Sequence, residues 1–321
     1  MERRTTLQRI QGVLHKYPYL SPLIVLLICI VVFYALNDRF LLPQNISFVT
    51  QQTVVVGTLA IAQTLVILTA GIDLSCGMVM ALGGIVMTKF ATELGLPPAL
   101  AVLCGIGVTT LFGLINGLLV TRVKLPPFIV TLAMMLVGSG LAYILAKGQS
   151  IYQIPDSFVW LGRGADLFSL PNAVVLMLVL YALAHVLMSR MKLGRYLYAV
   201  GGNGEAARLS GVPVKRVLMW AYIASALLAG LGGVIMASQL KSGSATYGNM
   251  YELYVIAAVV VGGTSLSGGE GRMLGTLTGA FTIAVIQNGM NLTNVESYTQ
   301  KVVLGLVILG AVLLDRIRHP R

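Results

Sequence analysis

The residues of this chain that could do chemistry are few, and they lie inside apolar sequence. Asp73 stands in the segment Thr69-Ala70-Gly71-Ile72-Asp73-Leu74-Ser75. Polar groups within apolar stretches cost free energy, so each one is a candidate for function. Gly71 interrupts a helix, and Asp73 or Ser75 can cap the next helix by accepting hydrogen bonds from its free amides. The segment is therefore either a structural cap at the cytoplasmic rim or a contact for a solute.

Neutral amides are frequent among the other polar groups in the apolar stretches. They can bond the hydroxyl groups of a neutral solute, or bond a neighbouring helix for about 1 kcal/mol or less. We expect no buried Arg or Lys for an anion, and no buried acid or His to couple a proton gradient. The candidates for a translocation path or gate are Gln63, Asp73, Ser75, Asn116, Phe128, Asn288 and Asn291, with Gln287 as a further amide.

The other groups with chemical potential are scattered. None of the cysteines and histidines has metal-ligand spacing: they are Cys29, Cys76, Cys104, His15, His185 and His319. Neither a disulfide framework nor a zinc site follows. No Ser/His/Asp constellation or carboxylate dyad occurs at usable spacing. The sequence predicts no metal centre, no cofactor and no catalytic residue.

A glycine-rich segment at 261–272 has some features of a phosphate-binding loop. Such a loop requires Gly-Lys-Ser/Thr opening a helix after a strand, and here no Lys follows. We therefore expect no ATP binding by this chain. We interpret the segment as a tight, mobile cytoplasmic turn, which would also allow close helix packing. Its residues are Gly262, Gly263, Ser265, Gly268, Gly269 and Gly271.

The most specific segment runs from 193 to 212. Asn203 can cap a short helix, Glu205 suits its first turn, and Gly211 can end it. The pattern predicts about two turns of amphipathic helix, which could dock into a groove of a soluble partner. Alternatively, the helix could rest on lipid headgroups. The residues of this docking helix are Asn203, Glu205, Ala206, Ala207, Arg208, Leu209, Ser210 and Gly211.

The elements that must position these residues follow from the composition. Hydrophobic residues make up 57% of the 321 residues, charged residues make up 10%, and the mean hydropathy is +0.86. A soluble domain carries about a quarter charged residues, so this chain must contact the lipid bilayer. The net charge is +11, but Lys and Arg occur in short runs between apolar blocks. An ordinary soluble enzyme and a nucleic-acid-binding protein are therefore excluded.

Hydropathy delimits the membrane helices. A span needs about 20 apolar residues, and Gly, Pro and charge mark the ends. The ten candidates are 20–36, 47–69, 74–90, 97–120, 127–146, 171–189, 216–238, 251–266, 273–290 and 299–315. The third and eighth are short and border Gly-rich turns, so they need not cross fully. We predict an all-α membrane protein with about ten transmembrane helices, forming one domain over 1–321.

The distribution of basic residues predicts the orientation. With both termini cytoplasmic, the inside segments hold sixteen of the 22 Lys and Arg residues and the outside segments hold six. This bias is typical of the positive-inside rule. The longest inside segment is 189–215, the loop that contains the docking helix.

An internal comparison suggests a repeat. A shift of 172 residues aligns Gly71 with Gly243, Gly107 with Gly279, Asn116-Gly117 with Asn288-Gly289, and Gly138 with Gly310. A chain with 36 glycines also produces such matches by coincidence. If the repeat is real, five spans stand against five in inverted orientation, the arrangement from which alternating access arises.

Four stretches of the chain resemble the permease subunits of bacterial ATP-binding-cassette importers for monosaccharides, most closely those for ribose. They are 65–75, 128–132, 193–211 and 257–271. The similarity extends from about Leu41 to Leu314 and covers almost the whole chain. The departures are Cys76, where the family commonly has Val, and Gly204, where a helix former often stands.

The resemblance implies a type II importer-like permease in the bacterial inner membrane. Two copies would surround one path and receive sugar from a periplasmic binding protein. A cytoplasmic ATPase subunit, which uses ATP and Mg²⁺, would grip the docking helix as a coupling helix. The permease itself would perform no chemistry. The resemblance leaves the sugar open among ribose, allose, xylose and autoinducer-type compounds.

Two other functions compete with this interpretation. A stand-alone secondary transporter or facilitator would move solute without partners, and it would need ion-coupling groups that we do not expect here. An intramembrane enzyme would need a catalytic constellation that the sequence lacks.

Overall fold

Apolar helices form almost all of the chain that a computed structural model describes, residues 20–152, 154–167 and 170–318. The basic residues before position 20, His15, His319 and Arg321 lie outside this part, so the sequence prediction for the cytoplasmic amino terminus falls beyond it. The helices are α1 (Leu20–Leu36), α2 (Pro43–Leu68), α3 (Cys76–Thr92), α4 (Pro98–Leu118), α5 (Pro127–Leu145), α6 (Trp160–Arg163), α7 (Asn172–Arg190), α8 (Lys192–Gly202), α9 (Gly204–Leu209), α10 (Val214–Leu240), α11 (Tyr251–Val261), α12 (Met273–Leu292) and α13 (Ser297–Arg318).

Each of the ten predicted segments overlaps one of these helices, and no strand occurs in the described ranges beyond two isolated bridges. Five helices are long and apolar enough to cross a membrane: α2, α4 with the π-helical turn that follows it, α5, α7 and α10. The remaining apolar helices are shorter or less apolar. The all-α membrane class is confirmed, because the helices follow the hydropathy pattern.

The loop at 189–215 differs from the prediction. It holds two helices, α8 and α9, where the sequence indicated only the second. Gly194 and the pair Gly201-Gly202 concealed α8, because glycine is a poor helix former. Gly194 is nevertheless required, since a Cβ there would lie 2.5 Å from the carbonyl oxygen of Leu187 at the end of α7.

Helix α2 lies at the centre of the bundle. It packs against α7, α10, α11 and α12, and every residue from Thr53 to Leu68 is buried. Small residues allow these helices to approach closely. For example, a Cβ at Gly84 of α3 would lie 3.0 Å from the carbonyl oxygen of Gly233 in α10.

Two helices begin inside the bundle after a break in the chain. Before α3, the segment 69–75 folds back along α2, because the Gln63 amide pairs with the backbone of Asp73. Gln63 lies six residues before Thr69, a rise of about 9 Å along the helix. Asp73, which lies beside Gln63, is therefore at about that depth from the end of α2. Before α11, the segment 241–250 runs along α3, with Gly243 against Thr88 and Gly248 against Gly77. These breaks explain why the third and eighth spans look short.

The connections sort to two ends of the bundle. One, which we call the junction end, brings together 69–75, α8 and the glycine-rich turn, and Gly263 there lies near Pro22 at the start of α1. At the opposite end, Asn37 donates to the carbonyl oxygen of Leu292 at 3.0 Å, and Ile151 pairs with Gly243. All connections gathered at the junction end are ones that the charge pattern assigns to the cytoplasmic side.

Candidate functional site

Three motifs that are far apart in sequence meet at the junction end. The Gly269 amide donates to the carbonyl oxygen of Leu68 at 3.0 Å. Gly201 of α8 packs so tightly on the same carbonyl that an added Cβ would overlap it. A Cβ at Gly268 would lie 2.8 Å from the Ala70 amide. These five residues, which we call the glycine junction, join the end of α2 to α8 and to the glycine-rich turn.

The glycine-rich turn owes its shape to residues that adopt positive φ. Gly263, Gly268 and Gly269 have φ values of +87°, +83° and +75°. Such values favour glycine over any residue with a side chain. The predicted close packing is present, because a Cβ at Gly262 would lie 2.5 Å from the carbonyl oxygen of Gly275 in α12.

The turn is also tied to its neighbours by side chains. The Ser265 hydroxyl donates to the Asp315 carboxylate of α13 at 3.2 Å. The Tyr198 hydroxyl of α8 donates to the carbonyl oxygen of Gly271 at 2.8 Å. Burial raises the pKa of Tyr198 above its ordinary value, although the charge of Arg272 opposes the rise. The phenol therefore stays protonated and keeps its donor role at neutral pH.

Helix α9 matches the predicted docking helix. The Asn203 carboxamide oxygen accepts from the Ala206 amide at 2.9 Å, and Gly211 follows the helix with φ +84°. Ala207 is buried and anchors the helix, whereas Leu209 is 78% exposed. The remaining predicted residues, Glu205, Ala206, Arg208, Ser210 and Gly211, are exposed.

An ion pair crosses the exposed face of α9. Arg208 Nη2 lies 2.9 Å from Glu205 Oε2, and the two side chains are 62% and 77% exposed. Exposed pairs of this kind contribute little to stability, about 1 kcal/mol at most. The Glu205–Arg208 pair and Leu209 are therefore available to contact a partner, because the stability of the fold does not depend on them.

A second polar group surrounds Asp73, which is 1% exposed. Its Oδ1 accepts from the amide and the hydroxyl of Ser75, at 2.9 and 2.6 Å, and its Oδ2 accepts from the Ser225 hydroxyl of α10 at 2.7 Å. Asn116 of α4 donates to the Ser75 hydroxyl at 3.0 Å. The Gln63 side-chain amide faces the backbone of Asp73. In the amide orientation that gives both of its atoms a partner, it donates to the carbonyl oxygen of Asp73 and accepts from its N–H, both at 3.2 Å. We call these five residues the Asp73 cluster.

The Asp73 cluster holds five helices together. It links α2, α3, α4 and α10 directly, and the Thr131 hydroxyl of α5 donates to the carbonyl oxygen of Ile72 at 3.0 Å. Each of the two carboxylate oxygens of Asp73 therefore has a donor from the protein. Asp73 thus joins the helices that surround the break before α3. It lies deeper in the bundle than the cytoplasmic rim, where the sequence analysis placed it.

The expectation of no buried acid is wrong. Asp73 is buried, and the Oε2 atom of Glu252 is also shielded from solvent. The physical reason is the pair of breaks before α3 and α11. The breaks bring Asp73, just before α3, and Glu252, in the first turn of α11, into the interior. Free amides at the start of a helix complement such a charge.

The other path candidates lie elsewhere. Asn288 exchanges two hydrogen bonds of 2.9 Å with Asn45, and Asn291 accepts from Gln300 at 2.9 Å. Gln287 lines a small cleft between α11, α12 and α13. Phe128 is 52% exposed at the start of α5. The structure thus brings together Gln63, Asp73, Ser75 and Asn116, and it does not bring Asn288, Asn291 or Phe128 to them.

Sequence reasoning missed Ser225 and Glu252. Ser225 carried no signal, because hydroxyls within apolar helices commonly bond their own backbone. Glu252 did carry a signal, since it is an acidic residue within the predicted eighth span. Within the described part of the chain, no group of three His, Cys, Asp or Glu residues could hold a metal ion.

Comparisons with known proteins show that the chain is similar to sugar import permeases. The chain is 43% identical to the ribose import permease of Bacillus subtilis (strain 168), over 95% of this chain and 94% of the relative. It is 40% identical to the fructose import permease of Rhizobium meliloti, over 98% and 89%. It is 36% identical to the D-allose transport system permease of Escherichia coli (strain K12), over 91% and 90%. No solved structure matches the chain.

A family model extends over the same region. The model that describes the branched-chain amino acid transport system / permease component matches residues 45–312. This range contains α3 to α12 entirely, together with the glycine junction, the Asp73 cluster and α9. The chain therefore belongs to this family of integral membrane permease components.

Proposed function

We propose that this chain is the membrane permease subunit of an ATP-driven importer, which moves a neutral monosaccharide into the bacterial cytoplasm. Ribose or a related sugar is the substrate class. The observation that carries the proposal is the similarity to the Bacillus subtilis ribose import permease along 95% of the chain.

The helix positions support ten spans arranged as an inverted repeat. When α2, α3, α4 and α5 are shifted by 172 residues, their ends fall within three residues of the ends of α10, α11, α12 and α13. The two broken elements, before α3 and before α11, correspond under this shift and enter from opposite ends. An inverted pair of this kind is the arrangement on which alternating access is built.

A second copy of the chain is the partner that we propose within the membrane. Helix α5 carries a row of exposed apolar side chains that includes Ile129 at 58%, Leu136 at 66% and Ile144 at 72%. The path would lie between the two copies, along such exposed faces. A periplasmic sugar-binding protein would deliver the substrate at the end opposite the junction.

Helix α9 is the proposed site for a cytoplasmic ATPase subunit, which would bind the ATP and Mg²⁺. Leu209 and the Glu205–Arg208 pair form its exposed face, and the glycine junction connects α8 to the end of α2. A force on α9 would therefore reach the central helix through backbone contacts. This orientation places both termini in the cytoplasm.

The proposed docking role predicts that Glu205→Ala and Arg208→Ala each reduce sugar-stimulated ATP hydrolysis severalfold. The full transporter, with its ATPase and binding protein, would be reconstituted in liposomes for the measurement. Because the pair is exposed, the thermal stability of the chain should not change. Glu93→Ala is the matched control, since Glu93 is an exposed acidic residue that pairs with Lys89 at the opposite end. Unchanged coupling in both α9 variants would contradict the docking role.

A further inference from the structure

Glu252 is an acidic residue in the interior that the proposed coupling route does not use. It is the second residue of α11, and its Oε2 atom has no hydrogen-bond partner within the described chain. A buried carboxylate oxygen without a donor is costly, so such an atom calls for an explanation. Asp73, by contrast, has donors on both carboxylate oxygens.

The residues around Glu252 hold its carboxylate against the start of α3. A Cβ at Gly77 would lie 2.7 Å from Glu252 Oε2 and 2.6 Å from the carbonyl oxygen of Gly248. Any larger residue at position 77 would push the carboxylate away. Met250, just before α11, has φ +68°, a left-handed conformation that costs free energy for a residue other than glycine. The backbone therefore holds Glu252 in place at a cost.

The depth of Glu252 is near the middle of the membrane. Helix α11 has 11 residues and ends at the glycine-rich turn, so it covers about 16 Å from the junction end. That is about half of the hydrocarbon thickness. Helix α11 packs on α13, and α3, against which Glu252 lies, packs on α5. Residues 251–254 are half-buried, whereas Val255 is fully buried, so the start of α11 is still within reach of a solute.

The chemistry at this point suits a hydroxyl-rich neutral molecule. A carboxylate only accepts hydrogen bonds, so it can take the proton of a sugar hydroxyl. The first amides of a helix have no acceptor within the helix, and Gly77, in the first turn of α3, lies against Glu252. Neighbouring hydroxyls of a sugar could thus donate to the carboxylate and accept from these amides. An anion would be repelled by the same carboxylate.

We propose that the Glu252 carboxylate is a contact for the hydroxyl groups of the sugar as it passes the middle of the membrane. This inference rests on the proposed function. It adds a substrate contact that the sequence did not indicate, and it assigns selection for hydroxyl groups to the permease as well as to the binding protein.

The test uses radiolabelled ribose and the full transporter in liposomes. Glu252→Gln removes the charge and keeps the size, so uptake should fall about tenfold, the loss of one charge-assisted hydrogen bond. ATP hydrolysis stimulated by the binding protein should stay within about twofold of the wild-type rate, so fewer sugars would move per ATP. Glu93→Gln, on the exposed end of α3, is the matched control and should leave uptake unchanged.

Three outcomes would decide the matter. Equal uptake by the wild type and Glu252→Gln would overturn the proposal. A parallel fall in uptake, ATP hydrolysis and thermal stability would also overturn it, because it would make Glu252 a structural partner of α3. If Glu252→Gln does not fold, Glu252→Asp retracts the carboxylate by one methylene, and full uptake by that variant would refute the contact. Absence of uptake by the wild type would instead count against the proposed function.

Discussion

At the scale of single residues, Asp73 joins several helices of the bundle. Its carboxylate collects three hydrogen bonds from Ser75 and Ser225. Ser225 lies 152 residues further along the chain. The sequence identified Asp73 by its position in apolar surroundings, and it identified Gln63, Ser75 and Asn116 for the same reason. It could not identify Ser225, because the pairing exists only once α3 and α10 pack together.

Removal of the Asp73 carboxylate should destabilise the protein. Asp73→Ala leaves the Ser75 amide and the Ser225 hydroxyl as buried donors without an acceptor, which should cost on the order of 3 kcal/mol. Denaturation in detergent micelles, followed by circular dichroism, would measure the loss. Asp38→Ala is the control, since Asp38 is exposed and should change stability by less than about 0.5 kcal/mol. Equal stability of the two variants would show that the Asp73 cluster is not structural.

At the scale of elements, hydropathy predicts the helices well, and the breaks and connections less well. The ten apolar segments coincide with helices because the lipid environment requires backbone hydrogen bonds to close within a helix. The breaks were visible only as Gly71 and Gly243 and as two short spans. The course of 241–250 along α3 could not be predicted, since it depends on the close approach of Gly77 to Gly248.

The glycine junction is another feature that no local pattern specifies. Its contacts involve main-chain atoms of Leu68, Gly201 and Gly269, so side-chain types carry little information about them. The sequence identified the glycine-rich turn and the docking helix as separate motifs. Their contact with each other through α8 is a property of the folded molecule.

A side chain added within the glycine junction should push α8 away from the end of α2. Gly201→Ala would place a methyl group against the Leu68 carbonyl, and we expect a loss of about 1–3 kcal/mol in stability from overpacking. Gly202→Ala is the matched control, because nothing lies within 4 Å of the added Cβ. Thermal unfolding of both variants in detergent would measure the difference. A melting temperature for Gly201→Ala at or above that of Gly202→Ala would contradict the close packing of α8 on α2.

At the scale of the whole molecule, the distribution of charge and the positions of the connections support the same proposed orientation in the membrane. The net charge of +11 arises from basic residues in the connections that the positive-inside rule assigns to the cytoplasm. Within the described chain, 69–75, α8, α9 and the glycine-rich turn all lie at one end. That end is where a cytoplasmic ATPase could act.

The most direct test of the central claim is sugar uptake by liposomes that contain this chain alone or together with its ATPase and binding protein. The account predicts that radiolabelled ribose accumulates only with all components and only with ATP, because this chain supplies a path and no energy source. The chain alone should give no more flux than empty liposomes. Equal flux with the chain alone would contradict the account and would identify a stand-alone transporter or facilitator.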